Sequence, residues 1–229
     1  MSRRFLILLP IAAAFMLAVL KLDRDGLGPQ LALGIAVAVF VAIASRGTGI
    51  ALRQILWCSA VATTGEVVLS LGWGLYSYAH ATIPLYVPPG HALFYFLAAY
   101  TSQQPWLRAR EREITRFAIV AGSAIALVSL VRDHDTWGCL WWLGALALIR
   151  IAENQLMLSA CFVYTIILEW VGTAIGNWRW APRVPFLGLH SANPPAGVGI
   201  LYILLDLIVV AIAGSAYAAR EEALADEVA

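Results

Sequence analysis

Charged residues are scarce in this chain, and their scarcity excludes a soluble globular protein. Only 13% of the 229 residues are Asp, Glu, Lys or Arg, against 61% that are hydrophobic. A typical soluble domain carries about 25% charged residues. The 14 acidic and 15 basic residues nearly cancel, so net charge indicates no nucleic-acid partner.

Cysteines and metal-binding patterns are also sparse. Cys58, Cys139 and Cys161 stand singly within apolar runs, without a Cys-x-x-Cys or Cys/His ligand spacing. Such cysteines usually behave as small buried hydrophobes. The four histidines lack the paired helical spacing of Glu-x-x-His or His-x-x-x-His sites. We therefore predict no disulfide framework, no metal site and no cofactor.

Long apolar runs are what the chain has in abundance. They are long enough to cross a hydrocarbon core of roughly 30 Å, which takes about 20 helical residues. Backbone polar groups in lipid must be satisfied within the segment, so these runs are predicted to be helices. We expect an all-α, polytopic transmembrane helical bundle of about eight spans. The predicted spans are 5–21, 29–46, 53–75, 89–104, 116–132, 138–152, 155–176 and 198–218.

Arginines set the predicted orientation. Cytoplasmic loops of membrane proteins retain the excess of Lys and Arg. With the predicted spans, ten basic residues lie on the same side of the membrane as the N-terminus, and five lie on the opposite side. We predict a multi-pass protein of the cell inner or plasma membrane with both termini cytoplasmic. The ten are Arg3, Arg4, Arg46, Arg53, Arg108, Arg110, Arg112, Arg116, Arg150 and Arg220, and the five are Lys21, Arg24, Arg132, Arg179 and Arg183.

The second half of the sequence repeats the order of elements in the first. Asp-x-Asp-x-x-Gly occurs at 23–28 and at 133–138, and a glutamate, Gly-x-aromatic-x-aromatic and Pro-Pro follow in each half. We predict a single membrane domain, 1–229, of two tandem four-helix repeats, 1–104 and 105–229. With four spans per repeat, both halves would have the same orientation in the membrane and would be related by an axis along the membrane normal. The later elements are Glu66, 74–78 and 88–89 in the first half and Glu169, 176–180 and 194–195 in the second.

Three acidic residues fall within predicted spans, namely Glu66, Glu169 and Asp206. An intramembrane carboxylate is costly and therefore usually functional. We predict catalytic acid or base roles for all three. The alternative is a buried, hydrogen-bonded acid that fixes helix packing.

Aromatic residues accompany both glutamates. Interfacial Trp and Tyr ordinarily form a belt at headgroup level, but a belt does not predict a Gly-x-aromatic-x-aromatic element beside a carboxylate twice. Aromatic faces stabilise cations, so an acid among aromatics suits protonation of an alkene and guidance of a carbocation. Asn193 is either a substrate contact or a helix cap. The predicted substrate-binding residues are Trp73, Tyr76, Tyr78, His91, Trp178, Trp180, Asn193 and Tyr202.

These motifs resemble those of the membrane-embedded carotenoid hydratases and the heterodimeric-type lycopene cyclases. The resemblance implies acid-initiated cyclisation or hydration of a polyprenyl chain without a redox cofactor. The chain lacks the cyclases' Pro-x-Glu-Glu element, and its eight predicted spans exceed the six of a fused cyclase. The residues that carry the resemblance are Glu66, Gly-Leu-Tyr-Ser-Tyr at 74–78, Ile-Pro-Leu-Tyr-Val-Pro-Pro-Gly at 83–90, Glu169 and Gly-Asn-Trp-Arg-Trp at 176–180.

The expected function is that of a lyase or isomerase acting on a lipid-soluble isoprenoid or carotenoid substrate. The expected partners are this substrate and membrane lipid, and association with a second copy is compatible with the sequence. The same acids would suit a proton- or cation-coupled carrier or channel subunit. A metal- or haem-binding membrane enzyme or subunit built from His80, His91, His190 and the acids is a third alternative. The Asp-x-Asp elements are similar to the Mg²⁺-holding motifs of prenyltransferases, but their tight turns favour solvated caps.

Overall fold

The computed structural model describes residues 2–228, and side chains for residues 2–213. Ala229, the end of the predicted second half, and the side chain of Arg220, which was counted for orientation, lie outside this description. The chain is mostly helical, with 73% of it in helix. The described helices are α1 (Arg3–Leu22), α2 (Leu27–Ser45), α3 (Leu52–Glu66) with a π-helical extension (Val67–Gly72), α4 (Val87–Ser102), α5 (Pro105–Arg108), α6 (Glu111–Asp133), α7 (Thr136–Ile151), α8 (Gln155–Ile175) and α9 (Gly199–Val228), and the strands are β1 (Tyr76–Tyr78) and β2 (Trp178–Trp180).

Five of the described helices are long and apolar enough to cross a membrane. They are α1, α2, α3 with its π-helical extension, α6 and α8, each 19 to 23 residues long. Helices α4 and α7 have 16 residues each, and the apolar part of α9 is Gly199–Ala213. The five long apolar helices indicate a membrane protein, as the composition predicts.

Local sequence explains where several helices begin. Ser2, Asp135 and Asn154 each accept a hydrogen bond from a backbone N–H in the first turn of the helix that follows. These side chains satisfy N–H groups that have no partner within the helix. Pro88 and Pro89 occupy the first turn of α4, where proline's missing N–H costs nothing.

Helices α3, α4, α8 and α9 form the core of the bundle. Each of α3 and α8 packs against both α4 and α9. Helix α2 packs on α4. Helices α6 and α7 pack on each other and on α8, and α7 also packs on α9. Helix α1 contacts both α4 and α8. Helix α4 is buried nearly all round, from Tyr95 to Ser102 without interruption, as expected for a central helix with no polar face.

Two short antiparallel strands, which the sequence did not predict, join the two halves of the chain. Tyr76 lies opposite Trp180, Ser77 opposite Arg179 and Tyr78 opposite Trp178. Side chains alternate across a strand, so the four aromatic residues are buried while Ser77 and Arg179 are exposed. The sheet therefore presents an aromatic face to the helices.

Asp135 is buried, whereas the sequence favoured a solvated cap. Its capping role is present, because Oδ1 accepts from the N–H of Gly138 at 2.9 Å. However, the residue is 0% exposed, and it also accepts from the Ser129 hydroxyl and from the N–H groups of Ala192 and Ala196. The prediction of solvation was wrong because the segment before α9 folds over this carboxylate.

Asp23 is the buried acid of the first Asp-x-Asp element. Its side chain is 2% exposed, and Oδ2 accepts from the Tyr86 hydroxyl at 2.8 Å and from Asn177 Nδ2 at 3.1 Å. Gln30 donates to Oδ1, and His80 Nε2 lies 3.7 Å from the same oxygen. Asp23 thus joins α1 to α2, to the start of α4 and to the start of β2.

Candidate functional site

Glu66 is buried at the end of α3 and is hydrogen-bonded on both oxygens. The hydroxyls of Tyr76 and Tyr78 donate to Oε2 at 2.9 and 2.7 Å. His91 Nε2, from α4, lies 3.0 Å from Oε1. Tyr76 and Tyr78 are two apart in β1, so their side chains leave the same face of the strand and reach one carboxylate.

Glu169 has a parallel arrangement on α8. The indole N–H groups of Trp178 and Trp180 donate to Oε2 at 2.9 and 3.0 Å. The Tyr202 hydroxyl, from α9, donates to Oε1 at 3.4 Å. One oxygen therefore takes two close donors, and the other has a single longer contact.

Antiparallel pairing brings these two arrangements face to face. A half-turn about the centre of the Ser77–Arg179 pair exchanges β1 with β2, because the pairing is symmetric about that point. His91 and Tyr202 are the third partners of the two glutamates. The centroids of their rings lie 4.5 Å apart. Both carboxylates consequently border one space between α3, α4, α8 and α9.

Glycines carry the chain from each glutamate helix into its strand. Gly74 and Gly176 have φ of +75° and +92°, a left-handed conformation that only glycine adopts readily. Gly74 is eight residues after Glu66, whereas Gly176 is seven after Glu169. The π-helix at 67–72 absorbs the extra residue, as a π-helical turn does when one residue is added to a helix.

A cavity of about 230 Å³ contains both glutamates, and we name it the two-glutamate cavity. Its polar lining consists of the two carboxylates, the aromatic and histidine side chains that bind them, and Tyr86. The remainder is apolar and includes Met16 and Leu20 of α1 and Leu205 of α9. Among the described residues, no lysine or arginine lines this cavity.

Burial keeps the two tyrosines of β1 as hydrogen-bond donors. Desolvation, followed by the nearby charge of Glu66, raises the pKa of Tyr76 and of Tyr78 well above the usual phenol value. The neutral hydroxyls therefore persist throughout the physiological pH range, and each offers its proton to the carboxylate.

Eight of the predicted site residues line the cavity, and three lie elsewhere. Trp73 donates to the Pro185 carbonyl at 3.1 Å. Asn193 accepts the N–H of Trp180 at 2.9 Å, so it holds β2. Asp206 is 2% exposed and takes the thiol hydrogen bond of Cys161, while its Oδ2 has no partner. The eight are Glu66, Tyr76, Tyr78, His91, Glu169, Trp178, Trp180 and Tyr202.

Some cavity residues gave little or no signal in the sequence. Met16 and Leu20 belong to an apolar run in which no residue stands out. Gly65 and Ile208 are equally ordinary in membrane helices. Tyr86, which lines the cavity and donates to Asp23, could have been found, since it belongs to the aromatic group before Pro88.

Among the described residues, no group of three or more His, Cys, Asp or Glu side chains is placed to hold a metal ion. Comparison with known proteins gives no family. No protein-family description, no curated protein and no solved structure matches the chain.

Replacement of Gly172 by alanine should disturb the Glu169 side of the cavity. A Cβ there would lie 2.0 Å from the Trp178 ring, and overpacking of this kind typically costs about 1–3 kcal/mol. We expect a lower thermal unfolding temperature in detergent and altered tryptophan fluorescence. Gly65→Ala is the control, because a Cβ at that position meets no atom within 4 Å. Equal unfolding temperatures for the two variants would contradict the packing described.

Proposed function

We propose that this protein is a membrane-embedded enzyme that protonates an isoprenoid or carotenoid chain and directs the resulting carbocation to cyclisation or hydration. The observation that supports this best is the pair of buried carboxylates, each bound by aromatic donors, in one largely apolar cavity. An apolar pocket with a few convergent polar groups suits a hydrocarbon substrate. The motif resemblance points to the same chemistry.

Glu169 is proposed as the proton donor. Two indole N–H groups occupy Oε2, so Oε1, with its single contact of 3.4 Å to Tyr202, is the oxygen that is free to carry a proton. That proton would add to one carbon of a substrate double bond and leave a cation on the other carbon. The faces of Trp178 and Trp180 would stabilise this cation electrostatically.

Glu66, assisted by His91, is proposed as the base. After ring closure it would remove a proton from the carbon beside the new cation, which re-forms a double bond and gives an isomer of the substrate. In hydration, water would add to the cation and lose a proton to Glu66, which gives an alcohol. Each course takes one proton from Glu169 and gives one to Glu66, so return of that proton to Glu169 would restore the enzyme. Isomerisation and hydration are both redox-neutral, so no redox partner is needed.

The test is mass spectrometry of lipid extracts from cells that express the wild type, Glu66→Gln or Glu169→Gln. A polyprenyl or carotenoid product that requires the wild-type carboxylates supports the proposal. A product that is unchanged in both variants removes it.

A proton- or cation-coupled carrier is a second candidate, favoured by one observation. Asp206 lies one helical turn from Tyr202, deeper in α9, and its buried Oδ2 has no hydrogen-bond partner. An uncompensated intramembrane carboxylate is typical of ion pathways. Uptake or currents in proteoliposomes that depend on Glu66, Glu169 and Asp206, without any change in lipid composition, would support this function instead.

We also propose that all the described helices other than short α5 cross the membrane, eight in all, as two tandem four-helix repeats with both termini cytoplasmic. The matching environments of Glu66 and Glu169, the symmetric strand pairing and the one-residue π-helical insertion support the repeat. Helices α4 and α9 occupy corresponding places, and each contributes one side chain, His91 or Tyr202, to its glutamate.

Cysteine labelling in whole cells tests this orientation. Phe186 is 94% exposed between β2 and α9, on the proposed outer side, and exposed Gln103 follows α4 on the proposed cytoplasmic side. We expect a membrane-impermeant maleimide to label Phe186→Cys in intact cells, but Gln103→Cys only after permeabilisation. The wild type, with its own three cysteines, gives the background. The opposite pattern would invert the topology, and labelling of both variants in intact cells would contradict the eight-span arrangement.

A further inference from the structure

The two-glutamate cavity is closed on one side of the bundle and open on another. Helix α1 lies against α4 and α8, and its cavity-lining residues Met16 and Leu20 are buried. Two lining residues are instead exposed, Leu204 at 42% and Ile208 at 46%, and both belong to α9. Gly65 of α3, the helix that packs beside α9, is partly exposed and also lines the cavity.

With α9 placed across the membrane, as proposed above, this opening lies beside the hydrocarbon region. Leu204 and Ile208 are five and nine residues into α9, or about 8 and 14 Å from its first residue at a rise of 1.5 Å per residue. The end of the cavity nearest the sheet is covered by buried aromatic side chains of β1 and β2. A molecule that passes between α3 and α9 therefore comes from the bilayer.

Cavity size limits how much of a substrate can enter. A protein cavity of about 150 Å³ binds benzene, so by proportion 230 Å³ holds about nine or ten carbons. That is about two isoprene units. A longer polyprenyl chain must leave the remainder of its length outside, along Leu204 and Ile208.

We propose that the substrate reaches the cavity laterally from the bilayer between α3 and α9, and that only its terminal two isoprene units pass Gly65 to the glutamates. The enzyme then acts on chain ends and accepts chains of different total length. The nature of the ligand rests on the proposed function, but binding of a chain end needs no turnover.

Gly65 offers a way to close the opening. A Cβ at this position meets no atom within 4 Å, so we expect a leucine side chain to extend into the opening without a clash at its point of attachment. Gly28 in α2 is the matched control, since it too is helical and has no atom within 4 Å of an added Cβ, and it lies away from the cavity. Ile208→Trp is a second blocking variant at a lipid-exposed position.

The experiment uses two photoactivatable tetraprenyl hydrocarbons in proteoliposomes. One carries a diazirine on its terminal isoprene unit and the other on its third unit. After irradiation, we expect the terminal probe to modify cavity residues and the third-unit probe to modify the segment from Leu204 to Ile208. Gly65→Leu should reduce cavity labelling about tenfold, the change that a loss of about 1.4 kcal/mol in binding produces. Gly28→Leu should leave it unchanged.

Several results would overturn the lateral route. Cavity labelling that is unchanged in correctly folded Gly65→Leu and Ile208→Trp proteins would exclude the α3–α9 opening, and labelling centred on the loop around Phe186 would indicate access from the aqueous side. Cavity labelling by the third-unit probe would mean that more than a chain end enters. Size-exclusion chromatography identifies any variant that fails to fold. The glutamate variants separate the two proposals. Loss of product with cavity labelling retained concerns the proposed reaction alone, and loss of cavity labelling with product retained concerns the lateral route alone.

Discussion

Glu169→Gln is expected to reduce formation of the lipid product by about 100- to 10,000-fold, the range in which a positioned general acid contributes. Glutamine keeps the shape of the side chain and can still accept from the indoles of Trp178 and Trp180. It has no carboxyl proton to give. The loss should therefore be one of turnover, while binding of the terminal diazirine probe stays close to that of the wild type.

Glu66→Gln should give a different result, because the proposed base acts after the cation has formed. We expect less of the normal product together with products of quenching by water or of misplaced proton loss. Glu113→Gln in the first turn of α6, an exposed position, is the control and should change nothing. Identical product profiles for Glu66→Gln and Glu169→Gln would contradict the assignment of separate acid and base roles, although both residues could still be required.

Asp135→Ala should have the largest effect on folding. The carboxylate accepts hydrogen bonds from the Ser129 hydroxyl and from the N–H groups of Gly138, Ala192 and Ala196. Its removal leaves those donors buried without a partner, and each buried donor left in this way costs about 1–3 kcal/mol. We expect a much lower thermal unfolding temperature or a loss of folded protein in detergent extracts.

Asp133 supplies the matched control within the same Asp-x-Asp element. It pairs with exposed Arg132, and surface ion pairs contribute at most about 1 kcal/mol. Asp133→Ala should therefore unfold close to the wild type. Asp135→Asn should fall between the two alanine variants, because one acceptor oxygen is kept while an NH₂ group faces an N–H donor. If Asp133→Ala proved as damaging as Asp135→Ala, the burial of Asp135 would not be the cause.

Helix positions could be predicted from the sequence because hydrophobic length is a local signal, and acids within apolar runs stand out for the same reason. The described helices lie at the positions of the predicted spans, and Glu66 and Glu169 share one cavity. The order of glutamate, glycine and paired aromatics was also readable. It indicated that the tyrosines and tryptophans accompany the acids, and the hydrogen bonds are consistent with that expectation.

Contacts between residues that are far apart in the chain could not be predicted from the sequence. Nothing in Tyr-Ser-Tyr at 76–78 or Trp-Arg-Trp at 178–180 specifies that two three-residue segments pair across 102 positions. The position of α1 over α4 and α8 depends on how helices pack, and apolar helices have no distinctive partner in their pattern. Asp23 and Asp135 were similarly judged from their flanking charges, whereas their burial comes from distant segments.

In the proposed reaction, the unlike donors around the two glutamates would determine which acid protonates the substrate. Phenol groups and an imidazole hold Glu66, whereas indoles and a phenol hold Glu169. The near two-fold arrangement is therefore not a true one, and the two acids cannot exchange roles. A trigonal carbon bound between them would receive its proton on one face only. In D₂O, the carbon that takes the deuteron should accordingly be formed in a single configuration, set by which half of the chain carries tyrosine and which carries tryptophan.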